Sequence, residues 1–246
     1  MNVRMLLLFD IDGTLVRNSA GAHAKALRMA LHEVHGLGSP DGDASGLPDV
    51  RAAGRTDMEI AREMALLCDV PAKRFDERRR DLMSVCLREY VRLAPQDLSD
   101  RVVAGMGALL TELKEQPGVT LSLVTGNLEG IARIKLDRAG LGCFFASGQG
   151  AFGSDSDDRT DLPELARRRA GAILDGQPYP RQRTVVIGDT DRDIACARAD
   201  GVWCIAVTTG PLGADGLGGA DAIAENASEL RERLQVIAAE MPAARR

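Results

Sequence analysis

Two carboxylates stand two residues apart in Asp10-Ile-Asp12-Gly13-Thr14-Leu15, directly after the apolar run Met5–Phe9. At the end of a strand, that spacing lets both acids point into one crevice, and Gly13 permits the sharp turn that follows. Like charges so close are costly unless a cation or a shared proton relieves them. Such a pair suits nucleophilic and general acid/base chemistry, one carboxylate for each role; the plain alternative is a solvated turn that ends a strand. A second polar group, Thr125-Gly126-Asn127, also follows an apolar run. A hydroxyl, a glycine amide and a helix start near Gly130 make an anion cradle, though an N-cap turn accounts for the same residues. The third group, Gly188-Asp189-Thr190-Asp191-Arg192-Asp193, ends another apolar run. Its hard oxygen ligands suit Mg²⁺. An EF-hand reading of the same acids fails, because Ile194 stands where that loop needs Gly.

These groups need elements to hold them. The runs Met5–Phe9, Val119–Val124, Thr184–Ile187 and Trp203–Val207 suit buried parallel strands. Helical patterns at Met106–Glu115, Gly130–Arg138, Leu162–Ala172 and Asp193–Ala199 lie between them. The alternation predicts an α/β fold, a doubly wound and mostly parallel sheet, whose active groups gather at the carboxyl ends of the strands. From Asn18 to Gln96 the patterns are only helical: Ala20–His35, Asp57–Cys68 and Pro71–Leu93. This predicts a helical insertion over 18–96, placed after the first strand of a core made of 1–17 and 97–246.

The composition narrows the function. Only 3% of the 246 residues are aromatic and the formal charge is −5, which argues against nucleic-acid binding by stacking or by phosphate contacts. A small anionic substrate stays compatible, since a bound cation reverses the local field. Cysteines 68, 86, 143, 196 and 204 are odd in number and form no C-x-x-C pair; they read as buried free thiols of a reducing cytoplasm. No apolar stretch reaches membrane-spanning length, so no membrane partner is expected and the location reads as cytoplasmic; monomer and homodimer are both open. Gly148–Gly153 matches G-x-G-x-x-G, but an acidic loop follows it where a dinucleotide site needs a helix. His32 and His35, spaced i, i+3, read as helix surface and not as a zinc site.

The three motifs, in this order and at strand ends, resemble the haloacid dehalogenase superfamily, whose first, second and fourth motifs they match from Met5 to about Val207. The helical insertion resembles that family's cap. The resemblance implies a Mg²⁺-dependent enzyme acting on a small phosphorylated substrate. Asp10 would attack phosphorus to form an aspartyl phosphate, and Asp12 would protonate the leaving oxygen and then activate water. The metal would be held by Asp10, Asp189 and the Asp12 carbonyl, with Asp193 beside it, and the phosphoryl oxygens by Thr125, Gly126 and Asn127. The family also expects a lysine between its second and fourth motifs, but the last lysine here is Lys135. An arginine must then serve; Arg159 is expected, with Arg167 to Arg169 as the solvated face of the next helix. Asp12 points to a phosphatase or a mutase of the β-phosphoglucomutase type, since dehalogenases lack this second acid and the ATPase pumps carry Thr. A receiver-like signalling domain, the non-enzymatic alternative, needs no helical insertion. Gly54-Arg55-Thr56-Asp57 resembles phosphoglycolate-phosphatase-like members, which implies phosphoglycolate as substrate with Arg55 and Thr56 as contacts. Sugar phosphates, nucleotides and pyrophosphate are open as well.

Overall fold

A computed structural model gives the architecture and describes residues 4–172 and 176–241. Met5–Phe9 forms strand β1, with every side chain buried, as a strand covered on both faces requires. The other strands are β2 (Val119–Thr125), β3 (Ala151–Phe152), β4 (Thr184–Gly188), β5 (Trp203–Val207) and β6 (Ala222–Ala224). They pair in the order β3-β2-β1-β4-β5-β6, all parallel. The chain runs outward in both directions from β1, so the crevice beyond its carboxyl end is the switch point where such sheets carry their ligands. Register makes this concrete. Phe9 lies opposite both Leu123 and Ile187, so Asp10, Thr125 and Asp189 leave the sheet at one edge.

Side chains alternate across β1. Leu7 and Phe9 pack with Leu109, Leu136 and Leu230, while Leu6 and Leu8 pack with Ala166 and Ala197. In chain order the helices are α1 (Ala20–His35), α2 (Asp57–Leu67), α3 (Ala72–Glu77), α4 (Arg79–Leu93), α5 (Met106–Glu115), α6 (Glu129–Arg138), α7 (Leu162–Ala172), α8 (Asp191–Asp200) and α9 (Ala227–Glu240). Helices α5, α6 and α9 cover one face of the sheet, and α7 and α8 the other. Helices α1 to α4 all fall between β1 and β2. They share a separate apolar cluster built on Leu31, Met58, Phe75 and Tyr90, joined by Leu128 and Ile131 around the start of α6.

Several expectations change. The helix expected over Pro71–Leu93 breaks at Arg78 (φ −103°, ψ 6°) into α3 and α4. Strands β3 and β6 are too short to show a period, and β3 arises inside the glycine run Gly148–Gly153. Arg167 is not on a solvated face. It is buried, and it donates to the two carboxylate oxygens of Asp200 at 2.6 and 2.7 Å. His35 is likewise buried, stacked on Phe75 at 5.6 Å between ring centroids. Cys86, Cys196 and Cys204 are buried, but Cys143 is exposed. No helix among the described residues is long and apolar enough to cross a membrane.

Candidate active site

Asp10 is the first residue past β1, its amide donating to the Ile187 carbonyl at 2.9 Å. Asp189 is the first residue past β4, and Asp193 lies in the first turn of α8, where it forms a capping box with Thr190. The three are buried, and a carboxylate oxygen from each lies within 4.8 Å of the others. Gly13 (φ +84°) makes this crowding possible, because a Cβ there would stand 2.2 Å from Asp189 Oδ2. Arg159, from the loop before α7, reaches the cluster; its Nη2 is 3.3 Å from Asp10 Oδ1 and bonds to Asp193.

Burial pushes the Asp10 carboxyl up; Arg159 opposes the shift, while Asp193 and Asp12 add to it. Asp189 is raised by burial and by the charges of Asp10 and Asp193, with the Thr14 hydroxyl and Arg159 pulling the other way. The Arg159 guanidinium loses by burial, but Asp193 and Asp10 more than offset that and hold it firmly protonated. Three buried acids facing one guanidinium form a hard, electron-rich oxygen set with a charge deficit that a divalent cation would fill. The donor set therefore fits a metal.

Asp12 has different company. Lys135 Nζ donates to its Oδ1 and Oδ2 at 2.7 and 2.6 Å, Asn127 Nδ2 donates to Oδ2 at 2.8 Å, and the Ser19 hydroxyl also donates to it. Burial pushes the Asp12 carboxyl up, but Lys135 and His23 outweigh it and hold the group well below the usual carboxylate range. Lys135 lies on α6 and is fully buried. It also donates to Asn127 Oδ1 at 2.6 Å and lies 3.2 Å from His23 Nδ1, on α1. His23 Nε2 is in turn 2.9 Å from Asp57 Oδ2, which accepts the Leu128 amide at 2.7 Å. Sequence reasoning leaves out Lys135, His23, Asp57, Ser19 and Thr14. Lys135 has a legible signal: it falls with Ile131, Ala132 and Leu136 on the buried stripe of its helix.

The remaining expected residues divide. Thr125 is fully buried, and its hydroxyl pulls on the Asp10 carboxyl and accepts from Asn127 Nδ2 at 3.1 Å. The Gly126 carbonyl accepts the Asp57 amide at 2.9 Å, and a Cβ on Gly126 would stand 2.1 Å from the Arg55 carbonyl oxygen. This glycine is where α2 closes onto the core. Thr56 and Arg55 have partners of their own. The buried Thr56 hydroxyl caps α2 by accepting the Glu59 amide at 3.1 Å, and it donates to the Asp157 carbonyl at 2.8 Å. The Arg55 guanidinium pairs with Glu59 at 2.8 Å and Glu63 at 2.5 Å. Two glutamates one turn apart on α2 thus neutralise this cation.

Asp10, Asp12, Asp189 and Arg159 line one end of a cavity of about 920 Å³, whose other walls come from α1, α2 and the segment between them. A family model described as haloacid dehalogenase-like hydrolase matches residues 5–201. The chain belongs to that family. Among curated relatives of this haloacid dehalogenase-like hydrolase, "Probable phosphatase IndB" of Dickeya dadantii is 28% identical over 209 residues, covering 85% of this chain and 83% of the relative. A phosphoglycolate phosphatase of Pseudomonas syringae is 28% identical over 208 residues, covering 83% and 70% respectively. Among solved structures, a β-phosphoglucomutase from Clostridium difficile superimposes with a TM-score of 0.65 at 17% identity, covering 97% of this chain and 98% of that one. At that identity the likeness is one of fold.

Proposed function

We propose that this hydrolase is a Mg²⁺-dependent phosphatase that cleaves a small phosphate monoester through an aspartyl phosphate on Asp10. The observation that carries the reading is the buried set Asp10, Asp189 and Asp193 with Arg159 at its side, facing the Thr125-Gly126-Asn127 turn across the switch-point crevice. Thr125 and the amides of Gly126 and Asn127 hold phosphoryl oxygens, and Arg159 adds positive charge where the transferring group gathers negative charge. An Asp10 oxygen attacks phosphorus, the ester P–O bond breaks, and the leaving oxygen takes a proton from Asp12. An entering phosphate dianion raises the Asp12 pKa by repulsion, which is what loads that proton against the pull of Lys135. Water then attacks the acyl phosphate, Asp12 takes its proton, and inorganic phosphate leaves with Asp10 regenerated. Asp10, Asp189 and the Asp12 carbonyl, with Asp193, would hold Mg²⁺, which would supply Lewis-acid charge neutralisation for the phosphoryl oxygens.

Residues 18–96 act as a cap on a core of 1–17 and 97–246, covering the leaving group and excluding water. Phosphoglycolate, the substrate named for several relatives, is the reference compound for a panel of esters. The test is steady release of inorganic phosphate from that panel with Mg²⁺. Release should disappear in Asp10→Asn and be reversibly lost in EDTA. Phosphoryl movement between sugar positions with no release of phosphate would make the protein a mutase, and full activity in chelator would remove the metal from the reading.

A further inference from the structure

We propose that the ester taken by this site has an apolar leaving group, larger than a two-carbon acid, seated against Leu27, Leu47, Pro48, Val50, Ile60 and Met64. The inference rests on the phosphatase reading and specifies its substrate class. All six side chains line the same cavity as Asp10 and Asp189, on walls contributed by α1, α2 and the segment joining them. Leu27, Val50 and Ile60 are buried, while Leu47, Pro48 and Met64 are half-buried. A volume of about 920 Å³ is on the scale of sites that enclose ligands far larger than glycolate, roughly 300–1,000 Å³.

Charge points the same way. A carboxylate on the leaving group needs a cation, or it loses its hydration without replacement. The cations along this cavity are Arg28, Arg55 and Arg159. Arg55 is neutralised by Glu59 and Glu63, and Arg159 is held by Asp10 and Asp193. Arg28 donates its Nε to the Gly42 carbonyl at 2.7 Å, and Asp49 lies on the same walls. An alkyl or aryl leaving group would displace water from this apolar surface. Met64, unbranched and polarizable, can adapt its shape to such a group.

The test is a series of linear alkyl phosphates, from ethyl to hexyl, whose leaving alcohols differ little in acidity, run beside phosphoglycolate and p-nitrophenyl phosphate. In the full-length protein with Mg²⁺, kcat/KM should rise by about threefold to fourfold per added methylene while the chain stays within the cavity. Alkylphosphonates of matching length should inhibit with the same gradient, which reads binding without chemistry. Met64→Gln and Val50→Thr should each flatten the gradient, lowering hexyl phosphate more than ethyl phosphate. A flat series, or phosphoglycolate preferred over hexyl phosphate, would overturn the inference and leave the phosphatase reading standing. Loss of a phosphoglycolate preference in Arg28→Gln would then assign the carboxylate to Arg28. No phosphate release from any ester, p-nitrophenyl phosphate included, would overturn both.

Discussion

Lys135 Nζ lies 2.7 and 2.6 Å from the two carboxylate oxygens of Asp12, a residue 123 positions earlier in the chain. One cation thus holds Asp12 while another, Arg159, stands at Asp10 and Asp193. The two acids of the first motif, two residues apart, are driven in opposite directions by this division: Asp10 up, by burial among carboxylates, and Asp12 down, by Lys135 and His23 against its burial. A cation bound at Asp10 would pull its carboxyl down and an entering phosphate would push Asp12 up, the directions that a nucleophile and a general acid need.

Lys135→Met keeps most of the side-chain volume and removes the ammonium. The Asp12 carboxyl is then released upward, so the alkaline limb of the kcat/KM–pH profile, where Asp12 loses the proton it gives the leaving oxygen, should move to higher pH. Because the Asp12 pKa is lowered in the folded protein, its contribution to stability is present above the ordinary value of 3.8 and is lost as pH falls and Asp12 protonates. The Tm difference between wild type and variant should therefore narrow in acid. An unshifted limb would mean that Asp12 does not carry the proton.

Asp10 and Asp189 have the opposite sign. Their carboxyls are raised in the folded, metal-free protein, so the native state holds protons that the unfolded chain has already released. Stability without metal is fullest below the ordinary value of 3.8 and should fall as pH rises beyond it toward neutrality. Saturating Mg²⁺ should reverse the loss by binding only the native state. Thermal melts across pH, with EDTA and with Mg²⁺, check this; metal-independent melts would count against the acidic set as a cation site.

Arg159→Ala and Arg167→Ala should separate catalysis from folding. Losing one positive group at a transferring phosphoryl centre costs on the order of a hundredfold or more in kcat/KM. Arg167 instead secures the buried Asp200 between α7 and α8, and with only the half-exposed Arg181 left beside that carboxylate at 3.0 Å, its loss should cost about 3 kcal/mol of stability. The folded fraction of Arg167→Ala should keep its kcat/KM. Equal catalytic losses in both variants would contradict this division.

Arg55→Ala should change hydrolysis of phosphoglycolate and of p-nitrophenyl phosphate by similar, small factors, because its guanidinium is already paired with Glu59 and Glu63. Steady-state kinetics on both esters decide the matter. A loss confined to phosphoglycolate would show that Arg55 leaves its glutamates for the substrate.

Much of this molecule is legible in its amino-acid order. Runs such as Met5–Phe9 and Thr184–Gly188 announce buried strands because a strand covered on both faces has no polar side to show, and acids at their ends announce a crevice. Asp10, Asp12, Thr125, Asp189 and Asp193 stand out by that local logic, and the family resemblance supplies their roles. Strands of two and three residues, β3 and β6, carry no period to read. Chain order points to Arg159 as the cation beside Asp10, and by the same criterion Lys135 comes too early to matter. Folding removes that objection, since α6 lays Lys135 back over the end of β1.

What the sequence determined by itself is chemistry set by neighbours: which residues end each strand, which carry oxygen, and which turn needs a glycine. Which cation meets which acid was decided only in three dimensions. Arg55 sits beside a promising turn, yet Glu59 and Glu63 claim it from α2; Arg167 resembles a surface residue, yet Asp200 holds it inside. Long side chains reach across elements that are distant in sequence, and the burial that fixes a charge's partner is a property of packing. The apolar walls above Asp10 likewise come from α1, α2 and the segment between them, and only their convergence makes a cavity of them.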